Sequence, residues 1–217
     1  FMPGVFLFFF KNVENIQEAR LEEEVVRNLK SIVLQPRFLQ AITAAAFAYA
    51  VMSFLMTATP LSMHVMENMS LKETGLVLQF HVVAMFLPSL ITGNLIKKYG
   101  HSAIIYGGVL FFFITVLLSL FEQTYLNYML SLIFLGLGWN FLFISGTSLV
   151  VLTYNKEEKF KVQGINDLIV FSTMALASLS AGILLNSIGW KMMNIICIPF
   201  LILIILVSFV ADKKSVS

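Results

Sequence analysis

A run of uncharged, largely apolar residues from Gly75 to Ile96 most constrains what this chain can fold into. Crossing the hydrocarbon core of a bilayer takes about 20 consecutive apolar residues, and this run has that length. The run stops at Lys97 and Lys98, which are followed shortly by Gly100. Because short cytoplasmic loops collect lysine and arginine, we predict a spanning helix that ends on the cytoplasmic side.

Composition extends this prediction to the whole chain. The sequence is 59% hydrophobic and only 12% charged, whereas an ordinary soluble domain is about 25% charged. We therefore predict an all-α, polytopic membrane protein, with the lipid bilayer as its surroundings. The single cysteine, Cys197, lies in an apolar run, which excludes a disulfide framework and a cysteine metal cluster. We predict no cofactor, no metal site and no nucleic-acid partner.

Six full spans are predicted, at about 38–61, 75–96, 102–121, 128–154, 164–188 and 190–210. If they alternate in direction, every basic residue except Lys72 and Lys191 falls on one side of the membrane. This asymmetry predicts a cytoplasmic location for that side. The predicted organisation is then the end of a truncated preceding helix at 1–10, a cytoplasmic central loop at 11–37, a six-helix domain at 38–211 and a cytoplasmic tail at 212–217.

Three features carry a resemblance to a known family. A long charged loop precedes a six-span unit, and the fourth and fifth spans contain GLGWNF and QGINDLIVFSTMALASLSAGILLNSIGW. Between the second and third spans, the glycines and the leucine of a G-x-L-x-D-x-x-G-R loop motif recur at the family's spacing. The positions of that motif are Gly93, Leu95, Lys97, Gly100 and His101. In these features the chain resembles the C-terminal six-helix half of a bacterial major facilitator superfamily transporter.

The motif departs from the family's pattern at two positions. Lys97 stands where the family has an acid, and His101 stands where it has an arginine. In the family, that acid helps to lock the cytoplasmic gate by pairing with a neighbouring helix terminus and a basic residue. A lysine at position 97 cannot form that pair. Asp167 near the start of the fifth span is a further gate candidate. The alternatives are simple topology anchoring for Lys97 and a hydrated first-turn carboxylate, favoured by the helix dipole, for Asp167.

The resemblance implies a function. It predicts secondary active transport of a small solute across the cell membrane by alternating access, with ion coupling. The expected partner is a preceding N-terminal six-helix half of the same protein. The first, second, fourth and fifth spans would line the path. Enzymatic activity is not predicted, because no paired acids or nucleophile constellation is present. The alternative is a non-transporting receptor or assembly factor that keeps the fold, and a transport assay separates the two.

Six residues are candidates for lining the cavity. Their side chains are polar or ionisable within apolar spans, where such groups need a partner. They are Tyr49, Ser53, Thr57, His81, Trp139 and Asn140. For each, hydrogen bonding or packing between helices is the open alternative. Two overlapping pairs of small residues in the fifth span, Ala177 with Ala181 and Ser178 with Gly182, predict close helix packing.

Overall fold

The computed structural model of the protein describes residues 27–216, so the predictions for 1–10 and for most of 11–37 lie outside the described residues. Every regular element in 27–216 is helical, as predicted. The α-helices are Leu29–Val33, Pro36–Pro60, Leu71–Phe86, Ser89–Tyr99, His101–Ser119, Tyr125–Val151, Lys159–Ile196 and Ile198–Val216. A π-helical turn, Leu61–Met66, and a 3-10 turn, Lys156–Glu158, complete them.

The second span is longer than its apolar run and is broken near its middle. It begins at Leu71, because Ser70 and Glu73 form a reciprocal capping box that satisfies the first backbone N–H groups. It ends at Tyr99. The segments on either side of Pro88 are bent by 40°, since proline has no N–H to donate within a helix.

The third span follows the second with a single residue between them. Gly100 has φ +84° and ψ 162°, a left-handed conformation that glycine adopts without steric cost. The chain therefore turns at Gly100 and enters the next helix at His101.

The fifth and sixth spans form one apolar stretch of 59 residues, Lys156–Lys214. A straight helix of that length would be about 90 Å long, far more than a bilayer core of about 30 Å. Gly189, with φ +73°, interrupts it between the two predicted spans. Ser178 contacts Thr57 of the first span, whereas Phe200 lies beside Phe47, so the chain runs back after Gly189.

By length and composition, the described residues hold four helical stretches that could cross a membrane, or five with the bent second span, and the last of them is interrupted at Gly189. The ends of these segments fall into two groups. At one end, Arg37 donates hydrogen bonds to Ser102 and to Asp212. At the other, Ser62 shares a 2.6 Å hydrogen bond with Tyr128, whose ring centroid lies 5.1 Å from that of Trp190. The first, third and sixth spans therefore meet at the first end, and the first, fourth and sixth at the second.

The fourth span occupies the centre of the bundle, and its glycines allow the close approach of its neighbours. A Cβ built on Gly136 would lie 2.7 Å from the carbonyl oxygen of His81 in the second span. One built on Gly146 would lie 2.7 Å from the carbonyl oxygen of Ala41 in the first span. Such contacts let helices associate in lipid, where packing rather than the hydrophobic effect drives association.

Candidate functional site

Five aromatic side chains from four spans meet where the first, second, fourth and fifth spans come together. We call them the aromatic cluster: Tyr49, Phe86, Trp139, Phe143 and Phe171. Trp139 stacks on Phe143, with centroids 4.9 Å apart and planes at 12°. The Tyr49 ring stands edge-on to the rings of Trp139, at 5.3 Å, and Phe171, at 6.1 Å. Phe86 meets Trp139 at 5.9 Å. These are favoured aromatic geometries.

The aromatic cluster is buried at its base and open at its edge. Trp139 is only 4% exposed, whereas Phe86 and Phe171 are 59% and 51% exposed. The indole Nε1 is buried and has no hydrogen-bond partner among the described residues. The cluster therefore presents an apolar aromatic surface whose exposed rings stand at steep angles to their neighbours, with Trp139 buried beneath them. Such a surface suits a planar conjugated ring better than a compact polar solute.

The structure brings Tyr49 and Trp139 together and places Ser53 and Thr57 further along the first span. Ser53 is 9% exposed. Thr57 is exposed, and its hydroxyl oxygen lies 3.0 Å from that of Ser178 in the fifth span. Ser178, which the sequence indicated only as a packing residue, thus joins the polar candidates.

Asn140 has a different position from its neighbour Trp139. It is fully buried, and its Nδ2 donates to the carbonyl oxygen of Met85 at 2.6 Å and to the hydroxyl oxygen of Ser89 at 2.7 Å. Thr92 donates to its Oδ1 at 2.6 Å. These partners flank the break at Pro88, where backbone carbonyls lack their usual helical donors. Through these hydrogen bonds, the Asn140 side chain holds the fourth span against both segments of the broken second span.

His81 also lies between helices. It is fully buried, and its Nδ1–H donates to the carbonyl oxygen of Leu132 in the fourth span at 2.7 Å. Its Nε2 has no partner among the described residues. The geometry matches the interhelical alternative for His81 more closely than contact with a solute in the open cluster.

The loop-motif residues lie at the junction of the second and third spans. Gly93 and Lys97 are exposed, Leu95 and His101 are half-buried, and Gly100 makes the turn. A Cβ built on Gly93 would have no described atom within 4 Å. Asp167 is exposed and accepts a 3.0 Å hydrogen bond from Asn166. No hydrogen bond in the described part of the chain joins Asp167 to the loop motif. A role in a gate, for Asp167 and for the motif residues, stays a prediction.

Two polar networks at the Arg37 end were not predicted from the sequence. In the first, Asp212 accepts from Arg37, Ser102 and Tyr106, and Gln40 donates to Ser102 at 2.9 Å. This network joins the first, third and sixth spans. Arg37 and Asp212 are 175 positions apart, so no local pattern indicates the pair.

In the second network, Arg27 binds the buried carboxylate of Glu158 through its backbone N–H, its Nε and its Nη2. The hydrogen bond from the Arg27 guanidinium, followed by that from the backbone N–H of Asn155, lowers the pKa of Glu158 to about 2. The carboxylate is therefore ionised at neutral pH, and it fastens the segment before the first span to the turn before the fifth.

A cavity of about 500 Å³ lies elsewhere, between the first, fifth and sixth spans. Its polar wall residues donate to carbonyls of their own helices: Thr173 to Ile169, Ser180 to Ala177, and Cys197 to Met193. The wall thus presents almost no hydrogen-bonding group, and none of the aromatic cluster lines it. We place the candidate site at the aromatic cluster, because it combines an open surface with side chains from all four predicted lining spans.

Three members of the aromatic cluster were not among the predicted cavity-lining residues: Phe86, Phe143 and Phe171. A signal was present for Phe143, which follows Trp139 by four residues and so lies on the same helix face. No signal distinguishes Phe86 and Phe171 from the many other phenylalanines, of which the chain has 21.

Comparison with known proteins agrees with the family resemblance of the sequence. The family model described as Major Facilitator Superfamily matches residues 41–217. The chain is 39% identical over 199 residues to the riboflavin transporter RfnT of Brucella anthropi, covering 92% of the chain and 50% of that protein.

Two Bacillus subtilis proteins are also similar, both named as uncharacterized MFS-type transporters. YdeG is 29% identical over 175 residues, covering 80% of the chain and 39% of that protein. YddS is 26% identical over 193 residues, covering 87% and 44%. The chain spans about half the length, or less, of these curated relatives.

Proposed function

The chain belongs to the major facilitator superfamily, and from this premise we propose that the protein moves a small solute across the cell membrane by alternating access. In this class of transporter, two halves rock against each other around a central site. The open face of the aromatic cluster would form one wall of that site, and a second six-helix half would form the other. Ion coupling is part of the proposal.

The proposed solute is riboflavin or a closely related planar heterocycle. One observation carries this: the aromatic cluster combines rings from four different spans into a single surface with exposed edges at Phe86 and Phe171. The isoalloxazine ring of riboflavin is flat and conjugated, so it can stack on such rings. The similarity to a protein named as a riboflavin transporter supports the same substrate.

The experiment that tests this function compares two phenylalanines of the same helix. The whole protein is expected to support riboflavin uptake in cells that lack another uptake route. Phe86→Leu should raise the riboflavin Kd about two- to tenfold, because an aromatic pair contributes about 0.5–1.5 kcal/mol beyond area burial. Phe80→Leu is the matched control, since Phe80 is 50% exposed and lies outside the aromatic cluster.

Equal effects of the two substitutions would contradict the placement of the site. Absence of riboflavin uptake by the unaltered protein would contradict the substrate, and absence of uptake for every planar heterocycle tried would favour a receptor or assembly role.

We also propose that the Arg37 end of the bundle faces the cytoplasm. Lys97 and Lys98 lie in the last turn of the second span, Lys213 lies in the last turn of the sixth, and Lys156 begins the 3-10 turn before the fifth. All four are at this end, and the cytoplasmic ends of spans carry such an excess of lysine. A reporter tag inserted after Phe121 is expected outside the cell, and one inserted after position 155 inside it. Accessibility of each tag to an impermeant label in intact and opened cells is the measurement. Tags on the same face would overturn both the orientation and the six-span alternation.

A further inference from the structure

We propose that the hydroxyl groups of Thr57 and Ser178 form a second subsite, which binds the hydroxylated tail of a solute whose planar ring lies on the aromatic cluster. This inference rests on the proposed function and deepens it, because it assigns a substrate class: a planar heterocycle that carries a polyhydroxyl chain. We call these two residues the hydroxyl pair.

The position of the hydroxyl pair follows from the two helices that already supply the aromatic cluster. Thr57 comes eight residues after Tyr49, which is about 12 Å along the first span. Ser178 comes seven residues after Phe171, which is about 10 Å and nearly two full turns, so the two side chains lie on the same side of the fifth span. The hydroxyl pair therefore lies in series with the aromatic cluster, towards the end marked by Ser62.

The chemistry of the hydroxyl pair fits a polyhydroxyl ligand. The two oxygens lie 3.0 Å apart, so one hydroxyl donates to the other. One O–H donor and several acceptor lone pairs remain for a ligand. Thr57 is exposed and Ser178 is half-buried, so these groups are accessible. In riboflavin, ring and ribityl tail follow one another along the molecule, as the aromatic cluster and the hydroxyl pair do along the helices.

Neighbouring hydroxyls on the same helices behave differently. Thr59 donates to the carbonyl oxygen of Leu55 at 2.8 Å, and Ser180 donates to that of Ala177 at 2.9 Å. Each is thus satisfied by the backbone of its own helix, the usual arrangement for a hydroxyl in a span. The Thr57 and Ser178 hydroxyls instead meet each other across two spans, where a ligand can reach them.

The test uses the purified whole protein and two probes, riboflavin and lumichrome, which keeps a planar ring system but lacks the ribityl tail. Thr57→Val and Ser178→Ala are each expected to raise the riboflavin Kd about tenfold, while the lumichrome Kd changes less than twofold. A site that hydrogen-bonds a hydroxyl discriminates against ligands without it, so losing the hydroxyl should reduce that discrimination. Thr59→Val and Ser180→Ala are matched controls and should leave both constants unchanged.

The outcomes separate the two proposals. If Thr57→Val and Ser178→Ala weaken both probes equally, or weaken neither, the subsite is overturned while riboflavin binding by the unaltered protein leaves the proposed function standing. If the unaltered protein binds neither probe, both are overturned. A purely structural role for the hydroxyl pair would lower thermal stability without changing the ratio of the two dissociation constants, and that result would also overturn the subsite.

Discussion

Replacing Gly146 with alanine is expected to destabilise the protein by about 1–3 kcal/mol, the usual cost of overpacking a well-packed interior. The added Cβ would lie 2.7 Å from the carbonyl oxygen of Ala41 and 2.9 Å from the backbone nitrogen of Ala45. Both atoms belong to the backbone of the first span, so no side-chain rotation can relieve the overlap, and the two helices must move apart. Thermal unfolding of the purified whole protein in detergent measures the effect.

Gly164→Ala is the matched control for this substitution. Gly164 is also helical, but nothing lies within 4 Å of a Cβ built there. Because alanine is favoured over glycine in a helix by about 1 kcal/mol, this change should be neutral or stabilising. Equal losses of stability in the two variants would show that the close approach of the first and fourth spans at Gly146 does not hold the bundle together.

Replacing Asn140 with leucine is expected to cost about 1–3 kcal/mol, the cost of leaving a buried polar group without its partner. The Met85 carbonyl oxygen and the Ser89 hydroxyl would each lose a donor beside the break at Pro88. Water cannot replace that donor inside a bilayer. We expect a lower midpoint of thermal unfolding and reduced uptake, because the second span would lose its attachment to the fourth.

Asn194→Leu provides the control for Asn140. Asn194 is equally buried, but its Nδ2 donates only to Trp190, one turn earlier in the same helix. Its replacement should therefore cost less. If Asn140→Leu changed the riboflavin dissociation constant and left the unfolding midpoint unchanged, Asn140 would line the solute path rather than clamp two helices.

The candidate site was only partly predictable from the sequence. Tyr49 is predicted because it shares one helix face with Ser53 and Thr57 at four-residue spacing, and Trp139 because it lies beside Asn140 in the middle of the fourth span. Phe86 and Phe171 are not, because a phenylalanine in a spanning helix has the same local pattern whether it faces lipid, another helix or a solute. Asn140 was identified as a residue in need of a partner, but the choice between solute and helix depends on which span lies beside it.

What the sequence by itself determined was the class, an all-α membrane protein, while the count of six spans stays a prediction that the reporter tags test. Apolar runs of bilayer length, interrupted at Gly100 and Gly189, specify spanning helices because backbone groups in hydrocarbon must be satisfied within each segment. Only the tertiary structure decided which side chains meet: Phe171 with Tyr49, Thr57 with Ser178, and Glu158 with Arg27. A helix that inserts into lipid is apolar on nearly all of its faces, so its sequence pattern does not indicate which face meets a neighbour. Helix partners are therefore selected by close packing and by hydrogen bonds between residues distant in sequence.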